Sequence, residues 1–187
     1  TIVVSLGSAS SDEGASGMTS PSATATITDI DVAVTFEVTV DAAGVSISEE
    51  DTSDNAATFT VTMGGTALTT GNFASVVLSQ TGTATDGTDY SAALDDAVAT
   101  AIAALTTGPA NPSYNATTDT LTFYAGGPSA LSFTVTATND DDVESPAETI
   151  VVSLGTATID EGTARITTAT ATATITDIDV AVTFEVT

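Results

Sequence analysis

The chain has 187 residues, 42% of them hydrophobic, with 25 acidic residues, one Arg, no Lys and no His, for a formal charge of −24. Nucleic acid and anionic membrane surfaces are polyanions themselves, so this charge excludes both as partners. The lack of Cys and His excludes disulfides, zinc-thiolate sites, thiol nucleophiles and a Ser-His-Asp triad, and no run reaches the roughly 20 apolar residues that insert across a bilayer.

The chain opens in mid-strand on TIVVSL with no signal peptide, as a piece cut from a longer protein would. TIVVSLGSASSDEG at 1–14 returns as TIVVSLGTATIDEG at 149–162, and ATATITDIDVAVTFEVT at 23–39 returns unchanged at 171–187. Both offsets are 148 residues, the size of a whole domain and too long for a solenoid unit. The expected plan is therefore 1–31 as the last two strands of a preceding repeat plus linker, 32–179 as one complete repeat, and 180–187 as the first strand of the next. Neighbouring identical repeats in tandem are the implied partners. A hairpin in 1–28 without its own sheet is only marginally stable. It would seek a partner in the same chain or in a neighbouring molecule, or the strand-like run 22–40 could continue straight across two half-domains.

Past this segment, period-two alternation dominates. In 32–40, Val32, Val34, Phe36, Val38 and Val40 share one face. In 57–63, Ala57, Phe59, Val61 and Met63 alternate with threonines. A further strand is predicted at 73–79. The pattern breaks between Ser91 and Leu105, where Leu94, Val98, Ile102 and Leu105 fall on one helical face. Ser91 stands as the N-cap, and Gly108-Pro109 stops the run. Strands resume at 120–124, 131–138, 149–154 and 170–176. About seven short, Thr- and Val-rich strands with turn signals between them predict an all-β, antiparallel Greek-key β-sandwich with a short helix inserted near 91–105.

The acidic residues gather in groups: Glu49, Glu50, Asp51 and Asp54; Asp86 and Asp89; Asp140, Asp141, Asp142, Glu144 and Glu148; and the Asp-Ile-Asp pair Asp29/Asp31 with its copy Asp177/Asp179. Asp12/Glu13 and their copy Asp160/Glu161 form a weaker group. Crowded carboxylates cost several kcal/mol unless neutralised or spread by solvent, and Arg165 is the only basic side chain in the chain. A hard cation with six to eight oxygen ligands fits, and calcium suits this better than magnesium. The spacing matches neither an EF-hand nor a glycine-rich nonapeptide repeat. Without Trp, and with three Tyr, the chain offers few surfaces for stacking on sugar. Nothing in it points to an enzyme.

Five motifs stand in a fixed order: VSISEED at 45–51, GTATDGTDY at 82–90, TLTFYAGG at 120–127, NDDDVESPAETIVVSL at 139–154 and the closing TITDID. In this order the chain resembles the Calx-β family, and more closely the Calx-β-like repeats of large RTX-type bacterial adhesins. The resemblance implies a seven-stranded Ig-like sandwich with calcium among the loops at one end. It implies ligands from Glu49 and Glu50, from Asp86 and Asp89, and from Asp140, Asp141, Asp142, Glu144 and Glu148. Thr81 stands where the family often has Asp, which leaves the number of ions open. The implied role is a calcium-stiffened extender on an extracellular bacterial cell surface, serving adhesion and biofilm. A calcium-dependent carbohydrate- or protein-binding module and a self-association element are the alternatives.

Overall fold

The computed structural model describes all residues except 28–31, 107, 141–142, 144–145, 178, 180–183 and 186–187. It divides into two compact units, Thr1–Asp31 and Val32–Thr187. The first is a hairpin of β1 (Ile2–Ser5) and β2 (Ser22–Ala25), antiparallel from Ile2↔Ala25 to Ser5↔Ser22.

The second unit contains β3 (Val32–Val40), β4 (Ser46–Ser48), β5 (Ala56–Gly65), β6 (Phe73–Gly82), β7 (Tyr90–Ser91), α1 (Leu94–Ala104), β8 (Ser113–Asn115), β9 (Thr120–Tyr124), β10 (Ala130–Ala137), β11 (Glu148–Ile159), β12 (Gly162–Thr168) and β13 (Thr170–Thr176). One sheet runs β12-β3-β5-β10-β7 and the other β4-β13-β11-β6-β9-β8. The fold is a β-sandwich with one short helix.

Alternation explains the strands. In β3 and β5 the apolar residues Val34, Phe36, Val38, Phe59 and Val61 face inward, each at most 1% exposed, while Thr and Glu fill the other face. Phe59 stacks on Phe133 of the neighbouring β10 with ring centroids 5.9 Å apart. Phe36 meets Phe123 of the opposite sheet at 6.1 Å. On the outer face, hydroxyls bond across β5 and β10, Thr58 with Thr134 at 3.2 Å and Thr60 with Ser132 at 2.8 Å.

The structure differs from the sequence reading in three places. Short strands escape a periodicity test, so β4, β7 and β8 add to the seven expected, and β12 adds an edge. Two edge pairings are parallel, β12 with β3 and β4 with β13. Ser91 is not the helix N-cap: it lies in β7, opposite Thr136 of β10. The cap position falls on Ala93, which offers no side-chain oxygen, and the Leu94 N–H donates instead to Gln80 Oε1 at 2.9 Å. The apolar face of the helix is placed as expected, with Leu94 and Val98 buried and Ile102 and Leu105 half-buried against the core.

Candidate metal centre

The pairing register puts several strand ends at one pole of the sandwich. Ser48 of β4 lies beside Thr176 of β13, and Glu148 of β11 lies opposite Ile175. Gly82 of β6 faces Ile150, and Ala137 of β10 faces Tyr90. The residues just beyond these ends are the acidic ones: Glu49 and Glu50 after β4, Asp177 after β13, Asp89 before β7 and Asp140 after β10.

Glu49, Glu50 and Asp177 converge. One carboxylate oxygen from each lies within 4.8 Å of the others. Glu49 is 3% exposed, and Glu50 and Asp177 are half-buried. The parallel β4–β13 ladder sets this geometry, because it advances both strands toward the same pole in step. The Glu49 N–H donates to the Thr176 carbonyl at 3.3 Å, and the Thr176 hydroxyl donates to the Ile47 carbonyl at 2.9 Å. The Ser48 hydroxyl donates to Glu50 Oε2 at 3.1 Å and fixes its direction. The Asp179 N–H donates to Asp177 Oδ1.

The oxygens fit a hard cation. Two ligands at 2.3–2.6 Å from one calcium ion stand at most about 5 Å apart, and all three carboxylates meet that limit. This is the group of three or more metal-ligating side chains found among the described residues.

The other predicted ligands among the described residues are not brought into this group. Asp89 is buried at 5% exposure and accepts a short hydrogen bond from the Thr85 N–H. Its carbonyl accepts from the Thr138 N–H at 2.9 Å, tying the 83–89 loop to the residue that follows β10. Asp86 is exposed on that loop. Burial first, then the negative charges of Asp86 and Asp89, raise the pKa of the neighbouring Tyr90. Asp140 and Glu148 are half-buried. Asp51 turns outward: its Oδ1 accepts from the Ser53 hydroxyl at 2.7 Å and the Ser53 N–H at 2.9 Å. Those two bonds hold its carboxyl below the ordinary value. Asp29, Asp31, Asp141, Asp142 and Glu144 lie outside the described residues.

Asp160 and Glu161 sit apart from this group, in the turn between β11 and β12. Asp160 accepts from the Phe73 N–H and Glu161 from the Asn72 side-chain amide. The sequence reading missed Ser48, the hydroxyl that directs Glu50; nothing in its local sequence separates it from any other Ser on a strand.

A two-sheet sandwich with acidic loops gathered at one pole defines a class of calcium-binding β module. Residues 29–98 and 103–179 match the Calx-beta domain family, and the chain belongs to it. Calx-beta domains bind calcium ions and are not catalytic modules. Among solved structures, the chain is similar to one described as the crystal structure of the apo-form Calx CBD1 domain. That match has 19% identity and a TM-score of 0.47, covering 78% of this chain and 98% of that one. It is also similar to CBD12 from CALX1.2, at 21% identity and a TM-score of 0.45, covering 76% of this chain and 44% of that one. None of the curated proteins compared matches it. No helix among the described residues is long and apolar enough to cross a membrane.

Proposed function

We propose that the chain is a calcium-stabilised structural extender, one of a tandem series of like repeats in an adhesin on a bacterial cell surface. Calcium sits at Glu49, Glu50 and Asp177, with further oxygens from the 83–89 and 138–148 segments and from Asp179. The observation that carries this reading is the convergence of three carboxylates at the end of β13, shortly before residues 180–187, which repeat the sequence of β3. The 148-residue repetition supports the tandem arrangement. Bound at that exit, the ion stiffens the joint between successive sandwiches. The longest strand has 12 residues, which gives each repeat a length of about 40 Å at roughly 3.3 Å per residue. Reach is the function: the series holds a distal binding region away from the cell.

The test is calorimetry and small-angle scattering on the chain with calcium and with chelator. Chelation lowers the melting temperature and, in a chain extended to several repeats, shortens the particle. An unchanged melting temperature and an unchanged particle length would remove calcium, and with it the stiffened-extender reading.

A further inference from the structure

The β1–β2 hairpin presents an apolar face to solvent: Ile2 is 53% exposed and Val4 63%. Shifted by 148 residues, its pairs Ile2↔Ala25, Val3↔Thr24, Val4↔Ala23 and Ser5↔Ser22 become Ile150↔Ala173, Val151↔Thr172, Val152↔Ala171 and Ser153↔Thr170. The hairpin thus holds the register of the β11–β13 pair, with identical residues at seven of these eight positions. In the sandwich that pair is covered. Ile150 is 1% exposed, Val152 and Ala173 0%, and Ala171 8%. Beside it, β6 pairs with β11 and β4 with β13, and the β3–β5–β10 sheet lies over its inner face.

We propose that the hairpin is a donor element, and that its Ile2, Val4, Ala23 and Ala25 face docks into the slot between the β4 and β6 equivalents of a second copy of this repeat that lacks its own β11–β13 pair. The hairpin supplies both missing strands at once. One edge pairs antiparallel with the β6 equivalent and the other parallel with the β4 equivalent, which is strand addition on two edges. The loop between the hairpin strands follows the same logic. Residues 155–159 and 162–168 are strands only where β6 and β3 flank them. The corresponding residues 7–11 and 14–20 form no strand in the hairpin unit. The pairing register alone, independent of calcium, carries this inference.

The test extends the full chain by placing a copy of residues 32–148 directly before Thr1, so that the Glu148–Thr149 junction is reproduced as Glu148–Thr1. Amide exchange is followed in chelator. In the original chain the amides of Ile2–Ser5 exchange quickly. In the extended chain they slow by at least about a hundredfold, toward the rates of Ile150–Ser153, and Val4→Asp in the hairpin abolishes the slowing. Unchanged exchange at Ile2–Ser5 in the extended chain would overturn the proposal. So would slow exchange in the original chain that appears only on dimerisation, since the hairpin would then be pairing with another hairpin.

Discussion

Replacing Glu49 by Gln keeps the shape of the side chain and removes one of the three converging charges. At the observed ligand-atom separation of up to 4.8 Å, two unit charges repel by about 3.5 kcal/mol at an effective dielectric of about 20. Glu50 and Asp177 are only half-buried, so solvent screening reduces this to about 1 kcal/mol per pair. Glu49→Gln relieves two pairs and stabilises the calcium-free protein by about 2 kcal/mol. A site at 100 times its dissociation constant contributes about 2.7 kcal/mol. For 150–250 residues each kcal/mol moves the melting temperature by about 2–4 °C. Calcium then raises the melting temperature of the native chain by about 5–11 °C. In chelator Glu49→Gln melts about 4–8 °C higher than the native chain, and its calcium increment falls below about 2 °C. Differential scanning calorimetry in calcium and in chelator reads all four values. A Glu49→Gln protein that melts lower in chelator, or that keeps the full increment, would refute the reasoning.

The Tyr114 hydroxyl donates to Asp95 Oδ1 at 2.6 Å, and burial, then that bond and the Asp95 charge, raise its pKa. Above the unfolded value of about 10 the folded state holds a proton that the unfolded state releases, so stability is flat below about pH 10 and falls above it; Tyr114→Phe flattens that fall in urea midpoints taken from pH 9 to 11.5. Gly162 has φ +118° and a Cβ there would meet the Val32 carbonyl at 1.9 Å; Gly162→Ala costs about 2–4 kcal/mol, seen as an earlier urea midpoint and faster amide exchange along β12.

Much of the sandwich was legible because a half-buried strand writes its burial into a period of two. The run from Val32 to Val40 and that from Ala57 to Met63 carry this signal, and both are long strands in the core. β4 has three residues, too few to show a period, and its place beside β13 is a pairing across 128 residues. The helix face was legible from Leu94 and Val98, but its start was not. The Leu94 N–H finds its acceptor in Gln80, a residue of another strand, and not in Ser91. The acidic groups were legible as groups, yet their membership is set by tertiary pairing. Asp51 is adjacent to Glu49 and Glu50 in the chain, but the Ser53 bonds turn it to solvent. Asp177, distant in the chain, is brought to those glutamates by the parallel ladder.

That ladder also fixes which strand end a bound cation would tie down. β4 is an edge strand of three residues, joined to β13 by the pairs Ser46↔Thr174, Ile47↔Ile175 and Ser48↔Thr176. So short an edge has few hydrogen bonds to hold it against fraying. Immediately beyond its end stand Glu49 and Glu50, close to Asp177 just beyond the end of β13. Without a cation, the carboxylates push the two strand ends apart. With one, the two strand ends are cross-linked. Chelation therefore speeds amide exchange of Ser48 and Glu49, which donate to the Asp54 and Thr176 carbonyls, by about tenfold for each 1.4 kcal/mol the ion contributes. Val76, in the middle of β6 and fully buried, exchanges through global unfolding, which also releases the ion, so chelation speeds it by the same factor. Acceleration at Val76 without acceleration at Ser48 and Glu49 would mean that the ion stays bound when β4 opens, and the cross-link at β4 would be the wrong account.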